Sequence, residues 1–141
     1  MSQRNVGILL FPNVEILDFA GPLEVFSSAT AVGGEPDNPP ERLCNVFTVA
    51  ESMDPIRCNN PLTVVPDNTL DSCPHIDILL IPGGRGTRPA MDRAELIEWV
   101  QKRAAQAELT TSVCTGSFLL AKAGLLDGKG ATTYFASIPY M

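Results

Sequence analysis

Short apolar runs that stop abruptly at proline, glycine or asparagine punctuate the chain. "NVGILLF" ends at Pro12-Asn13 and reads as a strand buried on both faces, and "HIDILLIPGG" is a second such run closed by a glycine turn. From Glu15 the apolar spacing turns helical. Ile16, Leu17, Phe19, Leu23, Val25 and Phe26 predict a largely buried helix, with a start or a kink at Gly21-Pro22, because proline is best tolerated in a first turn. "AVGGEPDNPPERL" predicts an exposed loop, "CNVFTVAE" alternates like a strand, and "PLTVVPD" reads as a short extended piece whose Pro66 suits a sheet edge.

"DRAELIEWVQKRAAQA" carries the clearest helical pattern. Leu96, Ile97, Val100, Ala104 and Ala107 share one face, and Asp92 with Glu95 predicts an N-terminal cap pair. "LTTSV" follows as a strand, "TGSFLLAKAG" as an apolar helix closed by Gly124, and "GATTY" as a last short strand. Strands buried on both faces and alternating with helices imply an α/β three-layer sandwich around a mostly parallel sheet. Ligands in such sheets sit at the carboxyl ends of strands, near a switch in strand order. The turns "PGG" and "CTG" both fall at such ends.

Composition narrows the function classes. A chain of 141 residues with 45% hydrophobic and 18% charged residues suits one domain over residues 1–141. The formal charge of −6 argues against nonspecific nucleic-acid binding, which needs clustered cations. No apolar run approaches the roughly 20 residues of a membrane span, and "VGILLF" is too short for a signal h-region. The expectation is a cytoplasmic protein acting on a small molecule, with no direct nucleic-acid or membrane partner. Four cysteines without metal-ligand spacing and one histidine, His75, predict no metal, no cofactor and no disulfide framework.

Cys114 is the candidate reagent. At a strand-to-helix turn the apex side chain is exposed, and the small Thr115, Gly116 and Ser117 allow strand and helix to approach closely. A helix N-terminus also favours a thiolate and an anion developing on a substrate. The competing reading is a small buried residue ending a core strand. Cys44, Cys58 and Cys73 have no comparable context and read as structural.

Together "VGILLFPNVEILDFAGPLEVF", "DILLIPGG" and "SVCTGSFLLAKAGLLDGKGATT" resemble the ThiJ/PfpI superfamily, over nearly the whole chain. The likeness within it is closest to isonitrile hydratases and to the amidotransferase-like domain of AraC-type regulators. The resemblance implies a flavodoxin-like, class I glutamine amidotransferase-like fold. It implies Cys114 as elbow nucleophile and Asp18 of "ILDFAGP" as the acid that reaches it. The backbone N–H of Thr115, with that of Gly84 in the Gly83-Gly84 turn, would form the oxyanion-binding pair. Asp18 has an alternative role as a helix cap. Glu24, six residues on, is a backup acid or a solvated residue, and His75 reads as surface.

Two departures stand out. Tyr134 and Phe135 occupy positions where related chains carry histidine and tryptophan. The chain also stops at Met141, where members of that superfamily continue, so the expected fold is shortened at its C-terminus; the apolar surface so exposed would favour a homodimer. The leading expectation is an isonitrile hydratase-like enzyme, a cysteine-dependent hydro-lyase. The alternatives are a noncatalytic ligand- or redox-sensing domain and, lower, a cysteine peptidase, amidotransferase or glyoxalase-type activity. The peptidase and amidotransferase reactions want a histidine base beside the thiol.

Overall fold

The computed structural model describes residues 2–141. Five parallel strands form the central sheet. They are β1 (Arg4–Leu9), β2 (Cys44–Ala50), β5 (Asn68–Thr69), β6 (Ile78–Ile81) and β7 (Leu109–Ser112), in the spatial order β5-β2-β1-β6-β7. β3 (Ile56–Arg57) and β4 (Thr63–Val64) make a separate antiparallel hairpin. β1 lies between β2 and β6, pairing Val6 with Val46 on one side and with Ile78 on the other. Val6, Ile8 and Leu9 of β1 and Leu79 and Ile81 of β6 are fully buried, as strands covered on both faces must be.

Four helices flank the sheet: α1 (Ile16–Ser28), α2 (Thr87–Met91), α3 (Ala94–Gln106) and α4 (Ser117–Lys122). α3 buries Leu96, Ile97, Trp99 and Val100, and the Trp99 Nε1–H donates to the Leu70 carbonyl at 3.1 Å. Among the described residues no helix is long and apolar enough to cross a membrane.

The architecture agrees with the expected α/β sandwich, and several local readings need correction. α1 begins at Ile16 and continues past Gly21-Pro22, so no helix starts there. Pro22 has no N–H for the carbonyl four residues earlier, a loss that interior helices bear only when packing supports them. That packing is one-sided: Phe19 is buried, whereas Leu17 and Val25 are 75% and 68% exposed. The Asp92–Glu95 cap does not form. Asp92 ends α2 in helical conformation, and α3 opens at Arg93 without a side-chain cap. "GATTY" makes no strand; Thr133 Oγ1 donates instead to the Cys114 carbonyl at 3.2 Å, and a 3-10 turn follows over Phe135–Tyr140. β2 does not alternate either. Its last four residues are all buried, as on a strand covered on both faces of the sheet.

From β1 the chain steps outward one way through β2 and β5, then returns to build β6 and β7 on the other side. The strand order reverses between β1 and β6, and a crevice at the carboxyl ends of the strands is the geometric consequence.

Candidate active site

Three strand exits meet at that crevice. β1 leads to Asp18 in the first turn of α1, β6 leads to Pro82-Gly83-Gly84, and β7 leads to Cys114. They line an open cleft of about 1290 Å³ that also takes in Glu15, Asn59, Phe118 and Tyr134.

Cys114 stands at the apex with φ +55°, one of two non-glycine residues in the left-handed region among those described. Holding an L-residue there costs about 1–2 kcal/mol, which the surroundings must over-determine. Gly116 shows how. A Cβ on it would lie 2.1 Å from the Ile81 carbonyl oxygen, so only glycine lets the turn press against the end of β6. The Cys114 carbonyl is held by the hydroxyls of Ser117 at 3.3 Å and Thr133 at 3.2 Å.

A hydroxyl network fixes the other side of the elbow. The Thr87 hydroxyl donates to the Gly84 carbonyl at 2.7 Å and lies 3.0 Å from Thr115 Oγ1. Each hydroxyl has one proton, so with that of Thr87 on the Gly84 carbonyl, that of Thr115 goes either to Thr87 Oγ1 or to the same carbonyl at 3.4 Å. Thr115 Oγ1 in turn accepts the Gly84 N–H at 3.0 Å. Thr87 is almost completely buried and was not singled out from sequence. A lone threonine in a short helix gives no sequence signal.

Asp18 accepts the Gly83 N–H at 3.1 Å through Oδ2. Gly83 has no room for a side chain, since a Cβ there would sit 2.7 Å from the Thr115 nitrogen and 2.9 Å from Asp18 Oδ2. Of the main-chain donors expected to serve an oxyanion, then, the Gly84 N–H is spent on Thr115 and the Gly83 N–H on Asp18. The Thr115 N–H is the one that bears on the Cys114 sulfur.

The thiol and the carboxyl shift one another. Burial pushes the Asp18 carboxyl above its ordinary range; the Gly83 N–H opposes this, and the Glu15 charge adds to the rise. Burial likewise pushes the Cys114 thiol up, the Thr115 N–H pulls it down, and the Asp18 charge raises it again. The expectation of a resting thiolate therefore reverses. A three-residue 3-10 turn leading into six residues of helix does not outweigh desolvation beside a carboxylate. The resting pair is a neutral thiol facing a carboxyl group.

Glu24 does not join the site. It is exposed on α1 and accepts from Ser28 Oγ at 3.2 Å. The second acid of the cleft is Glu15, whose Oε2 accepts from Asn59 Nδ2 at 3.0 Å. The β3–β4 hairpin that delivers Asn59 left no clear sequence pattern. His75 lies near the amino end of β6, paired with Asp77 at 3.1 Å, so no Cys–His dyad forms. Tyr134 lines the cleft and packs edge-on against Phe135 at 4.6 Å between ring centroids. Among the described residues no cluster of three metal-ligating side chains occurs.

Residues 4–141 match the DJ-1/PfpI family. Isonitrile hydratase of Pseudomonas putida is 38% identical over 131 residues, which is 93% of this chain and 52% of that protein. The HTH-type transcriptional regulator GbdR of Pseudomonas aeruginosa is 28% identical over 140 residues, 99% of this chain and 36% of the regulator. The chain thus spans about half the length of the first and about a third of the second. Among solved structures, a ThiJ/PfpI family protein from Pseudomonas syringae superposes with TM-score 0.77 at 33% identity, covering 91% of this chain and 49% of that one. Drosophila melanogaster DJ-1beta reaches the same TM-score of 0.77 at 18% identity, covering 98% of this chain and 69% of its own, a likeness of fold alone.

Proposed function

The chain belongs to the DJ-1/PfpI family, and from that premise we propose that its cleft hydrates isonitriles to N-substituted formamides. The observation that carries this reading is the meeting of Cys114, on a strained elbow, with Asp18 across two strand exits. The likeness to an isonitrile hydratase over 93% of the chain supports it.

The chemistry needs a nucleophile and a single proton carrier, and no histidine. As the Cys114 sulfur bonds to the terminal isonitrile carbon, its proton passes to Asp18 and from there to that carbon. The product is a thioimidate, R–N=CH–S–Cys114. Water then adds to the same carbon, with Asp18 taking one of its protons. Collapse expels the thiol and protonates nitrogen, leaving R–NH–CHO and the starting thiol. A carboxylate with a raised proton affinity beside a neutral thiol suits both transfers, since the thiol does not have to ionise before substrate arrives and its proton has an acceptor at hand.

Incubation with cyclohexyl isocyanide is expected to yield N-cyclohexylformamide, detected by mass spectrometry, with Cys114→Ala reduced to the uncatalysed rate. No formamide from protein whose Cys114 is intact and reduced would remove the proposal. A second reading rests on the match to GbdR and on the occupied Gly84 N–H: a domain that binds a small molecule without turning it over. Saturable binding of an isonitrile to the unaltered protein, with no product, would favour it.

A further inference from the structure

Five of the seven arginines donate a hydrogen bond to a protein acceptor among the described residues. Arg4 donates to Glu108, Arg42 to the Ser27 carbonyl, Arg57 to Thr63, Arg93 to Glu51 and Arg103 to the Cys73 carbonyl. Arg85 and Arg88 donate none, and these two line the cleft that holds Cys114. Exposure does not separate the groups, because Arg4 and Arg93 are exposed and still paired. The Arg88 guanidinium lies 5.7 Å from the centre of the Tyr140 ring, a cation–π contact that orders its arm while leaving its N–H groups open.

Position sharpens the contrast. Arg85 precedes α2 and Arg88 lies within its five residues, so the two stand close together on one side of the cleft. No acid offsets them within ion-pair distance among the described residues. Two acids of the cleft are engaged elsewhere, Asp18 on the Gly83 N–H and Glu15 by Asn59, while Asp92 closes α2 without pairing with either arginine among the described residues. The cleft therefore has an acidic, reactive floor at Cys114 and a cationic wall at the start of α2, formed by Arg85 and Arg88. A planar guanidinium presents paired N–H donors that match a carboxylate.

We propose that the substrate carries a carboxylate on the tail opposite its reacting carbon, and that Arg85 and Arg88 bind this group while the head lies against Cys114. A single charge suits the cleft better than a dianion, because Glu15, Asp18 and Asp92 line the same space. This deepens the isonitrile reading by naming the substrate class, and it rests on that reading only in taking the cleft as the site of reaction.

The test reads the wall without requiring turnover. Cys114 is alkylated with 4-(iodoacetamido)butanoate or with its neutral amide. The rates are taken from the Cys114 peptide by mass spectrometry and normalised to the same reagents on N-acetylcysteinamide. The expected result is a preference for the carboxylate of about tenfold at low ionic strength, the scale that two partly exposed ion pairs supply. Arg85→Gln and Arg88→Gln should each lower it, the double variant should abolish it, Arg85→Lys should keep part of it, and 0.5 M salt should shrink it. A normalised ratio of one or less in the unaltered protein, or one unchanged in a double variant of native circular dichroism, would overturn the proposal. Failure of isonitrile hydration with this preference intact removes the reaction assignment alone. Hydration of neutral isonitriles without the preference removes the carboxylate wall alone.

Discussion

At the amino end of β6, Asp77 accepts the Asn5 N–H at 2.7 Å and faces His75 Nε2 at 3.1 Å, while the Asn5 side chain donates to the His75 carbonyl through Nδ2 and accepts from Asn45 Nδ2 through Oδ1. At the carboxyl end, Asp18 has one backbone donor at 3.1 Å and sits beside the Cys114 thiol in an open cleft. Both ends use a carboxylate on a backbone N–H. The amino end employs its polar groups to tie β1 to β6. The carboxyl end strains its backbone, buries an acid beside a cysteine and leaves two guanidiniums without protein acceptors. Polar groups that satisfy one another hold a fold together, whereas groups held in place with capacity to spare are available for chemistry.

Substitutions at matching places on the two ends test this contrast. The largest effect is expected from Asp18→Asn, which should lower isonitrile turnover by about 10²- to 10⁴-fold, the range for losing a proton-transfer group. Stability should move the other way. The raised Asp18 carboxyl favours a protonated fold; its stabilising contribution is full below the ordinary value of 3.8 and is lost as pH rises through the folded value. An Asn side chain can still accept the Gly83 N–H. The variant should therefore melt at a higher temperature than the parent at pH 7, with the gap closing in acid. A lower melting temperature at pH 7 would mean that Asp18 is structural, like Asp77.

Gly116→Ala is next. It forces a Cβ to 2.1 Å from the Ile81 carbonyl oxygen, so it should cost about 3 kcal/mol in denaturant unfolding and lower activity by displacing the elbow. Asp77→Ala leaves the Asn5 N–H without its acceptor and should cost about 1–3 kcal/mol, with turnover per folded molecule within about twofold of the parent. Loss of turnover there would erase the distinction between the two ends. The smallest effect is alkaline. Because the Cys114 thiol lies above its ordinary 9.0, the fold favours the neutral form; that contribution is full below 9.0 and lost as pH rises through the folded value. The parent should lose melting temperature above pH 9 more steeply than Cys114→Ser.

Much of the framework was legible because it is written in periodicity. β1, β6, β7, α3 and α4 appear near their expected places, since apolar runs and a 3.6-residue stripe report burial directly. α1 was legible in existence and misread in detail: its apolar residues lie on both faces, and the packing of Phe19 carries the helix past Pro22. β4 falls inside the extended piece expected over "PLTVVPD", but its partner β3 and helix α2 went unseen, being two and five residues long, too short for any period to declare itself. Cys114, Asp18, Gly83, Gly84 and Thr115 were named from motifs and converge in the structure. Glu15, Thr87 and Asn59 were missed because nothing in their neighbours along the chain marks them; Glu15 and Asn59 meet across 44 residues and Thr87 meets Thr115 across 28.

By itself the sequence determined a sheet buried on both faces and an elbow of small residues around one cysteine, because hydrophobic spacing and the sizes of adjacent side chains are local quantities. Tertiary structure alone decided that burial keeps the thiol protonated, which N–H groups are already spent, and that two arginines line the cleft unpaired among the described residues. Those properties depend on burial and on distances between strand exits, and neither exists until the chain has folded.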